Sequence, residues 1–199
     1  MEHLRAADPV MRGIVAAHGP LDEEARRRGR PASAYGSLLR AIVGQQLSTK
    51  AARTIYGRVE ELFGGTPKPE QLVEISAERL REAGLSRAKA AYLHDLAERV
   101  LSGELDLEHI AELSDEEASA QLTAVKGLGQ WTADMFLIFH LRRPDVLPVG
   151  DLGVRRAVEL AYGLEGLPAA PELTTIAKPW RPYRSLASLY LWRSLDNEP

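Results

Sequence analysis

Asp151 is the residue around which chemistry in this chain can be built. It stands in PVGDLGVRRA, residues 148 to 157, and follows by 22 residues the second glycine of VKGLGQWTAD, residues 125 to 134. The two segments suit different tasks. In the first, Gly127 can end a helix in the left-handed conformation, and Gly129 leaves no side chain between the turn's amides and an approaching ligand. The next helix starts at once, and its first-turn N–H groups lack partners within the helix and carry partial positive charge. A phosphate is welcome there without any lysine cluster. In the second segment Asp151 offers a carboxylate at the mouth of a later helix. A residue so placed is also an ordinary N-cap, which stabilises a helix by about 1 kcal/mol. The roles coexist, because a helix N-terminus favours the ionised carboxylate that a catalytic residue needs. Together the segments suggest a clamp for a nucleic-acid backbone with a carboxylate beside it.

Helices must position both segments. Leu38, Leu39, Ile42 and Val43, then Ala51, Ile55, Val59, Leu62 and Phe63, fall at helical spacing on either side of a GQQLS linker. A third helix is expected to end at Gly84 as its C′ glycine, and Ser86 to open a fourth whose stripe is Ala90, Leu93, Leu96, Ala97 and Val100. Ser114 with Glu117 reads as a capping box for a helix carrying Ala118, Leu122 and Val125, which runs into Gly127. The next helix spans about Gln130 to Leu141 and buries Ala133, Phe136 and Leu137, with Pro144 beyond it. Further helices are expected from about Gly153 and about Tyr183. No run of four residues has convincing period-2 alternation, so the fold class is all-α.

Composition bounds the rest. The 199 residues, 45% hydrophobic and 27% charged, suffice for one or two compact domains. The absence of cysteine excludes disulfides, thiolate metal ligands and a thiol nucleophile. The opening MEHLRAADPVMRG has neither an apolar signal core nor transit-peptide character, and no apolar run approaches the roughly 18 residues that span a bilayer. A soluble cytoplasmic protein is expected. The formal net charge of −3 argues mildly against nucleic acid, but backbone amides at a helix N-terminus answer that objection, and Lys126 and Arg155 can add local charge. The basic run Arg26, Arg27, Arg28 and Arg30 suits either DNA or a solvated turn. The histidines at 3, 18, 94, 109 and 140 have no zinc-type spacing, and neither a P-loop nor a nucleophile elbow is present.

The block LTAVKGLGQWTADMFLIF resembles the helix–hairpin–helix of the DNA glycosylase superfamily that also carries a Gly/Pro-rich loop and a catalytic aspartate. Asp151 lies at the offset the resemblance requires. Three further segments, AIVGQQLSTKAA (41 to 52), AGLSRAKAAYLHDLA (83 to 97) and WRPYRSLASLYLW (180 to 192), are similar to one branch, the bacterial 3-methyladenine DNA glycosylase II type. The likeness covers roughly 36 to 192. It implies two helical domains with the active-site cleft between them: a central domain at 36–145 containing the hairpin, and a second formed by 1–35 with 146–199. It further implies a monomer acting on damaged double-stranded DNA, with no cofactor beyond a monovalent sodium or potassium ion at hairpin backbone carbonyls.

The resemblance has informative departures. Relatives that also cut the DNA backbone carry a lysine nucleophile two residues after the second hairpin glycine. Here that position is Trp131, which implies base removal without lyase activity. Relatives with an iron–sulfur cluster carry four C-terminal cysteines, and this chain has none. At this length, the N-terminal β-rich domain of larger members is not expected.

The implied reaction assigns the remaining residues. Breaking an N-glycosidic bond leaves positive charge on the deoxyribose, so an anion is needed where the oxocarbenium-like transition state develops. Ordinary glycosidases use two carboxyl groups because a poor leaving group must be protonated. An N-alkylated purine, of the 3-methyladenine or 7-methylguanine type, is already cationic, so Asp151 alone could serve by stabilising the sugar cation, by orienting or deprotonating water, or both. The target base must be flipped out and its place filled. By resemblance the wedge lies in GQQLS, at Gln46 or Leu47. The electron-poor base would be received by aromatic faces. Trp131 and Trp192 match the family's pocket aromatics, Tyr183 and Trp180 lie in the same C-terminal block, and Met135 stands where an aromatic residue is found in a relative. Lys126, Gly127, Leu128, Gly129, Gln130 and Thr132 are the expected contacts to the DNA backbone. Three other functions fit parts of the pattern: a non-catalytic helix–hairpin–helix DNA-binding protein, a glycosylase for oxidised or mismatched bases, and a helical interaction domain in which VKGLG is an accidental corner.

Overall fold

Ser33, Ser48, Ser76, Ser86 and Ser114 each precede a helix and accept a hydrogen bond from a main-chain N–H of its first turn. Small hydroxyl side chains satisfy donors that the helix cannot, and they punctuate the chain. The computed structural model describes residues 1–22 and 31–195, and among them the regular elements are all helical. The arginines at 26, 27, 28 and 30 lie outside the described residues.

The chain divides into two compact units, Gly29–Phe136 and Met1–Arg28 with Leu137–Pro199. The division falls inside the helix that follows the hairpin, whereas the expected boundary lay after residue 145. Phe136, Leu137 and Ile138 of that helix are all buried.

The continuous unit contains α3 (Ala34–Gly44), α4 (Thr49–Phe63), α5 (Pro69–Glu74), α6 (Ala77–Glu82), α7 (Arg87–Ser102) and α8 (Asp115–Thr123). The segment before Gly84, read above as one helix, is two short ones, since Ile75 turns to extended backbone and Ser76 caps a new start. Gly84, at φ +106°, ends α6 as expected. Its N–H bonds Arg81 O and the N–H of Leu85 bonds Leu80 O, the paired bonds of a Schellman motif. The Ser114–Glu117 capping box is formed. α7 buries Ala90, Leu93, Leu96 and Ala97, together with one carboxylate, Asp95.

The other unit joins both chain regions. Its helices are α1 (Glu2–Ala7), α2 (Pro9–His18), α10 (Leu152–Tyr162), α11 (Ala170–Ile176) and α12 (Arg184–Leu195). Helix α9 (Gln130–Phe139) crosses the division. Leu4, Met11 and Val15 are buried in one core with Val154, Val158 and Tyr190, which is why 1–22 belongs with the C-terminal third. Trp180 is in this core too, fully buried, with its Nε1–H donated to Asp8 at 3.0 Å. It is a structural residue, not a pocket aromatic.

Candidate active site

Asp151 is 8% exposed and is the N-cap of α10. Its Oδ1 accepts from Val154 N–H at 2.8 Å and from the indole Nε1–H of Trp192, also at 2.8 Å. The helix cap is formed, and the capping oxygen is the same one that the indole meets. Trp192 is half-buried on α12 and stacks on Phe139, with ring centroids 5.6 Å apart and planes 23° from parallel. Its approach leaves little room at Gly153, where a Cβ would lie 3.0 Å from Trp192 Cδ1 and 3.1 Å from Asp151 Oδ1.

α12 also holds the loop that delivers Asp151. The Arg184 guanidinium grips Asp145 through Nε to Oδ1 (2.7 Å) and Nη2 to Oδ2 (3.0 Å), and Nη2 also reaches the Asp145 carbonyl at 2.6 Å. Such a two-pronged pairing fixes geometry as well as charge. Burial pulls the Asp145 carboxyl upward, but these bonds outweigh it and hold the group below the usual carboxylate range. Ser185 Oγ accepts from Val146 N–H at 2.9 Å, and Ser185 N–H donates to Pro144 O at 3.1 Å. One helix therefore anchors residues 144–146 at its start and the carboxylate near its end.

In the continuous unit, α8 ends in the turn Val125–Leu128, closed by Leu128 N–H to Val125 O at 3.1 Å. Gly127 has φ +81°, and a Cβ there would overlap the Tyr92 ring. Gly129 has open space around its α-carbon, and α9 starts at the following residue. Lys126 N–H donates to Asp95 Oδ2 at 2.8 Å and its ammonium pairs with Oδ1 at 3.0 Å, while Arg99 Nε reaches Oδ2 at 3.0 Å. Burial raises the pKa of Asp95, but the bonds from Lys126 and Arg99 prevail and keep it low. Gly127 O accepts from Gln45 Nε2 at 2.7 Å and Gly129 O from the N–H groups of Thr132 and Ala133 at 2.9 and 3.1 Å, and such hard carbonyl oxygens are the ligand type that a sodium or potassium ion would take.

The candidate wedge lies between α3 and α4. Leu47 N–H bonds Gly44 O at 3.2 Å, with Gln45 at φ −52°, ψ 131° and Gln46 at φ +57°. These are the angles of a type II turn, whose third position favours glycine. Gln46 and Leu47 are both exposed.

The remaining candidates separate by environment. Trp131, in the first turn of α9, is 49% exposed. Met135 is partly buried one turn later. Leu128 and Thr132 are buried, and their main-chain N–H groups bond Val125 O at 3.1 Å and Gly129 O at 2.9 Å. Gln130 Nε2 donates to Asp134 Oδ1 at 2.8 Å and to Ser119 Oγ at 3.0 Å, so its amide is engaged inside the protein. Tyr183 packs edge-on against His3, centroids 5.4 Å apart, and precedes Trp192 by nine residues, about 13 Å along a helix axis. Arg155 Nε donates to Pro168 O at 2.9 Å. Sequence reasoning missed Asp95 and Asp134. Asp134 is 6% exposed, and burial raises its pKa despite the bond from Gln130. The one available signal was an acid placed within each apolar stripe.

Residues 39–182 match the family described as HhH-GPD superfamily base excision DNA repair protein. The chain is similar to a solved structure of the Schizosaccharomyces pombe 3-methyladenine DNA glycosylase Mag1 in complex with abasic DNA. Identity is 32% and the TM-score 0.86, with 98% of this chain and 95% of that one covered. A DNA-3-methyladenine glycosidase from Bacillus halodurans is 41% identical with a TM-score of 0.78, over 96% of this chain and 90% of that one. The Bacillus subtilis relative YfjP is 34% identical over 82% of this chain, which spans only 60% of that protein's length.

Proposed function

Because the chain belongs to the HhH-GPD superfamily of base excision DNA repair proteins, we propose that it is a monofunctional DNA glycosylase of the 3-methyladenine DNA glycosylase II type. It acts as a monomer on damaged duplex DNA and hydrolyses the N-glycosidic bond of flipped-out alkylated purines such as 3-methyladenine and 7-methylguanine. The observation that carries this reading is a single carboxylate, Asp151, held in a buried position by the Val154 amide and the Trp192 indole. A cationic purine leaves without being protonated, so one fixed anion facing the sugar meets the need of an oxocarbenium-like transition state.

The other parts have matching support. The hairpin amides of Gly127, Gly129 and Gln130 would grip the DNA backbone, and hairpin carbonyls would hold a sodium or potassium ion that supplies positive charge toward a phosphate. Trp131 offers an exposed aromatic face to an electron-poor base. Gln46 is the better choice of wedge, because a non-glycine residue held at φ +57° is costly, on the order of 1 kcal/mol, and such cost clusters at functional positions. Base removal without strand cutting is supported by Trp131 at the lysine position of lyase relatives and by the pairing of the nearby Lys126 ammonium with Asp95.

A panel of duplexes carrying 3-methyladenine, 7-methylguanine, 1,N6-ethenoadenine, hypoxanthine, uracil or 8-oxoguanine tests the reading. Free methylated purine and heat-labile abasic sites are expected, with no borohydride-trapped adduct. Release of no base contradicts the enzyme. Release of 8-oxoguanine or uracil alone contradicts the substrate class.

A further inference from the structure

Three side chains spaced three apart on α7 reach the two DNA-facing loops of the continuous unit. Lys89 Nζ donates to Val43 O at 2.8 Å and to Gln45 O at 2.7 Å, so its ammonium takes up carbonyls at the C-terminal end of α3, where a helix lacks partners of its own. Tyr92, one turn on, lies against the α-carbon of Gly127. Asp95, a further turn on, holds the Lys126 amide. Residues at i, i+3 and i+6 advance along one side of a helix, which is how a single element meets both loops.

The loops are also tied directly. The Gln45 side-chain Nε2 donates to Gly127 O at 2.7 Å, across 82 residues of sequence. Gln45 thus stands between its neighbour Gln46 and the carbonyl at the apex of the hairpin turn. Its main-chain carbonyl is fixed by Lys89 and its side chain by the hairpin. A residue with both ends held sets the direction in which the next residue, already at φ +57°, leaves the turn.

We infer that Gln45 and Lys89 are positioning residues that lock the Gln46–Leu47 loop to the hairpin turn, so that gripping the DNA backbone and filling the vacated stack are one rigid event. The inference rests on the glycosylase reading above. A helix-capping role for Lys89 and a loop bond for Gln45 would affect only folding; coupling affects discrimination of disrupted from intact DNA.

The test compares wild type with Gln45→Leu and Lys89→Met, with Lys89→Arg as the conservative variant able to reach both carbonyls. The probes are an undamaged duplex, the same duplex with a tetrahydrofuran abasic analogue beside 2-aminopurine, and a 7-methylguanine duplex. Gln45→Leu and Lys89→Met should keep undamaged-duplex affinity within about twofold, yet lose roughly fivefold or more of the abasic preference, of the 2-aminopurine fluorescence rise and of the single-turnover release rate. Lys89→Arg should restore most of each. Unchanged preference, fluorescence and release in Gln45→Leu overturns the inference. So does a parallel fall in both affinities that tracks a lower Tm, which would mark a merely structural role. Gln45→Leu decides the matter alone if Lys89→Met does not fold. A wild type that releases no base overturns the glycosylase reading and the inference with it, whereas release by wild type and variants alike overturns the inference only.

Discussion

The indole Nε1–H of Trp192 donates to Asp151 Oδ1 at 2.8 Å while the same oxygen caps α10 through Val154 N–H. Trp192 therefore supports the carboxylate, beyond any service as an aromatic wall. A hydrogen bond to a charged group contributes about 1.5–3 kcal/mol, enough to matter for both orientation and rate.

Trp192→Phe keeps an aromatic ring beside Phe139 and removes the donor. Single-turnover base release should fall by roughly 10- to 100-fold, with affinity for an abasic duplex changed much less, because the loss lies in transition-state stabilisation. Quench-flow release under saturating enzyme measures the first and fluorescence anisotropy the second.

Gly153→Ala tests how closely the two side chains must approach. Alanine raises helix propensity by up to about 1 kcal/mol, but the added Cβ crowds Trp192 Cδ1 at 3.0 Å and Asp151 Oδ1 at 3.1 Å. The terms oppose each other in stability and not in catalysis. Thermal unfolding should move by only about 3 °C in either direction, while release slows by about tenfold or more.

The two hairpin glycines should behave differently. Gly129 has open space, so Gly129→Asp leaves Tm nearly unchanged and weakens duplex binding by about tenfold or more, by setting negative charge before the α9 amides. Gly127→Ala puts a Cβ into the Tyr92 ring at φ +81°, and should lower stability by about 2–4 kcal/mol. Calorimetry and duplex titration at one fixed salt concentration separate these outcomes.

Asp8 predicts a pH dependence of stability. Burial pulls its carboxyl upward, but bonds from Tyr162, Trp180 and the amides of Met11 and Val10 outweigh burial and leave it below the usual carboxylate value. Its folded pKa is depressed, so its stabilisation is present above the unfolded value near 3.9 and disappears as pH falls through the folded one. Urea unfolding of wild type should show stability decreasing below about pH 5, and Asp8→Asn should flatten that acid limb while costing about 2–3 kcal/mol at pH 7.

The helix boundaries were legible where a side chain does local chemistry. Ser86, Ser114 with Glu117, and Gly84 act within a few residues of themselves, and all three occupy the positions their types suggest. The break at Ile75 was hidden, because apolar periodicity continues across it. At the candidate site, the place of Asp151 as a helix N-cap was legible from its position before α10. The partner of its carboxylate was not. Trp192 lies 41 residues away, and periodicity says which side of α12 is buried but not what an indole N–H meets there. The same limit separates Trp180 from Trp192 and hides the bonds of Asp8 to Trp180 and of Asp95 to Lys126, which lie 172 and 31 residues away along the chain.

Asp151→Asn is the most direct test. Asparagine still caps α10 and still accepts from Trp192, so the fold and the duplex affinity should hold while the negative charge is lost. Single-turnover release of 7-methylguanine should fall by about 100-fold or more, equivalent to about 2.7 kcal/mol of transition-state stabilisation, with abasic-duplex affinity within about threefold of wild type. Release at the wild-type rate would contradict the assignment of Asp151 as the catalytic carboxylate.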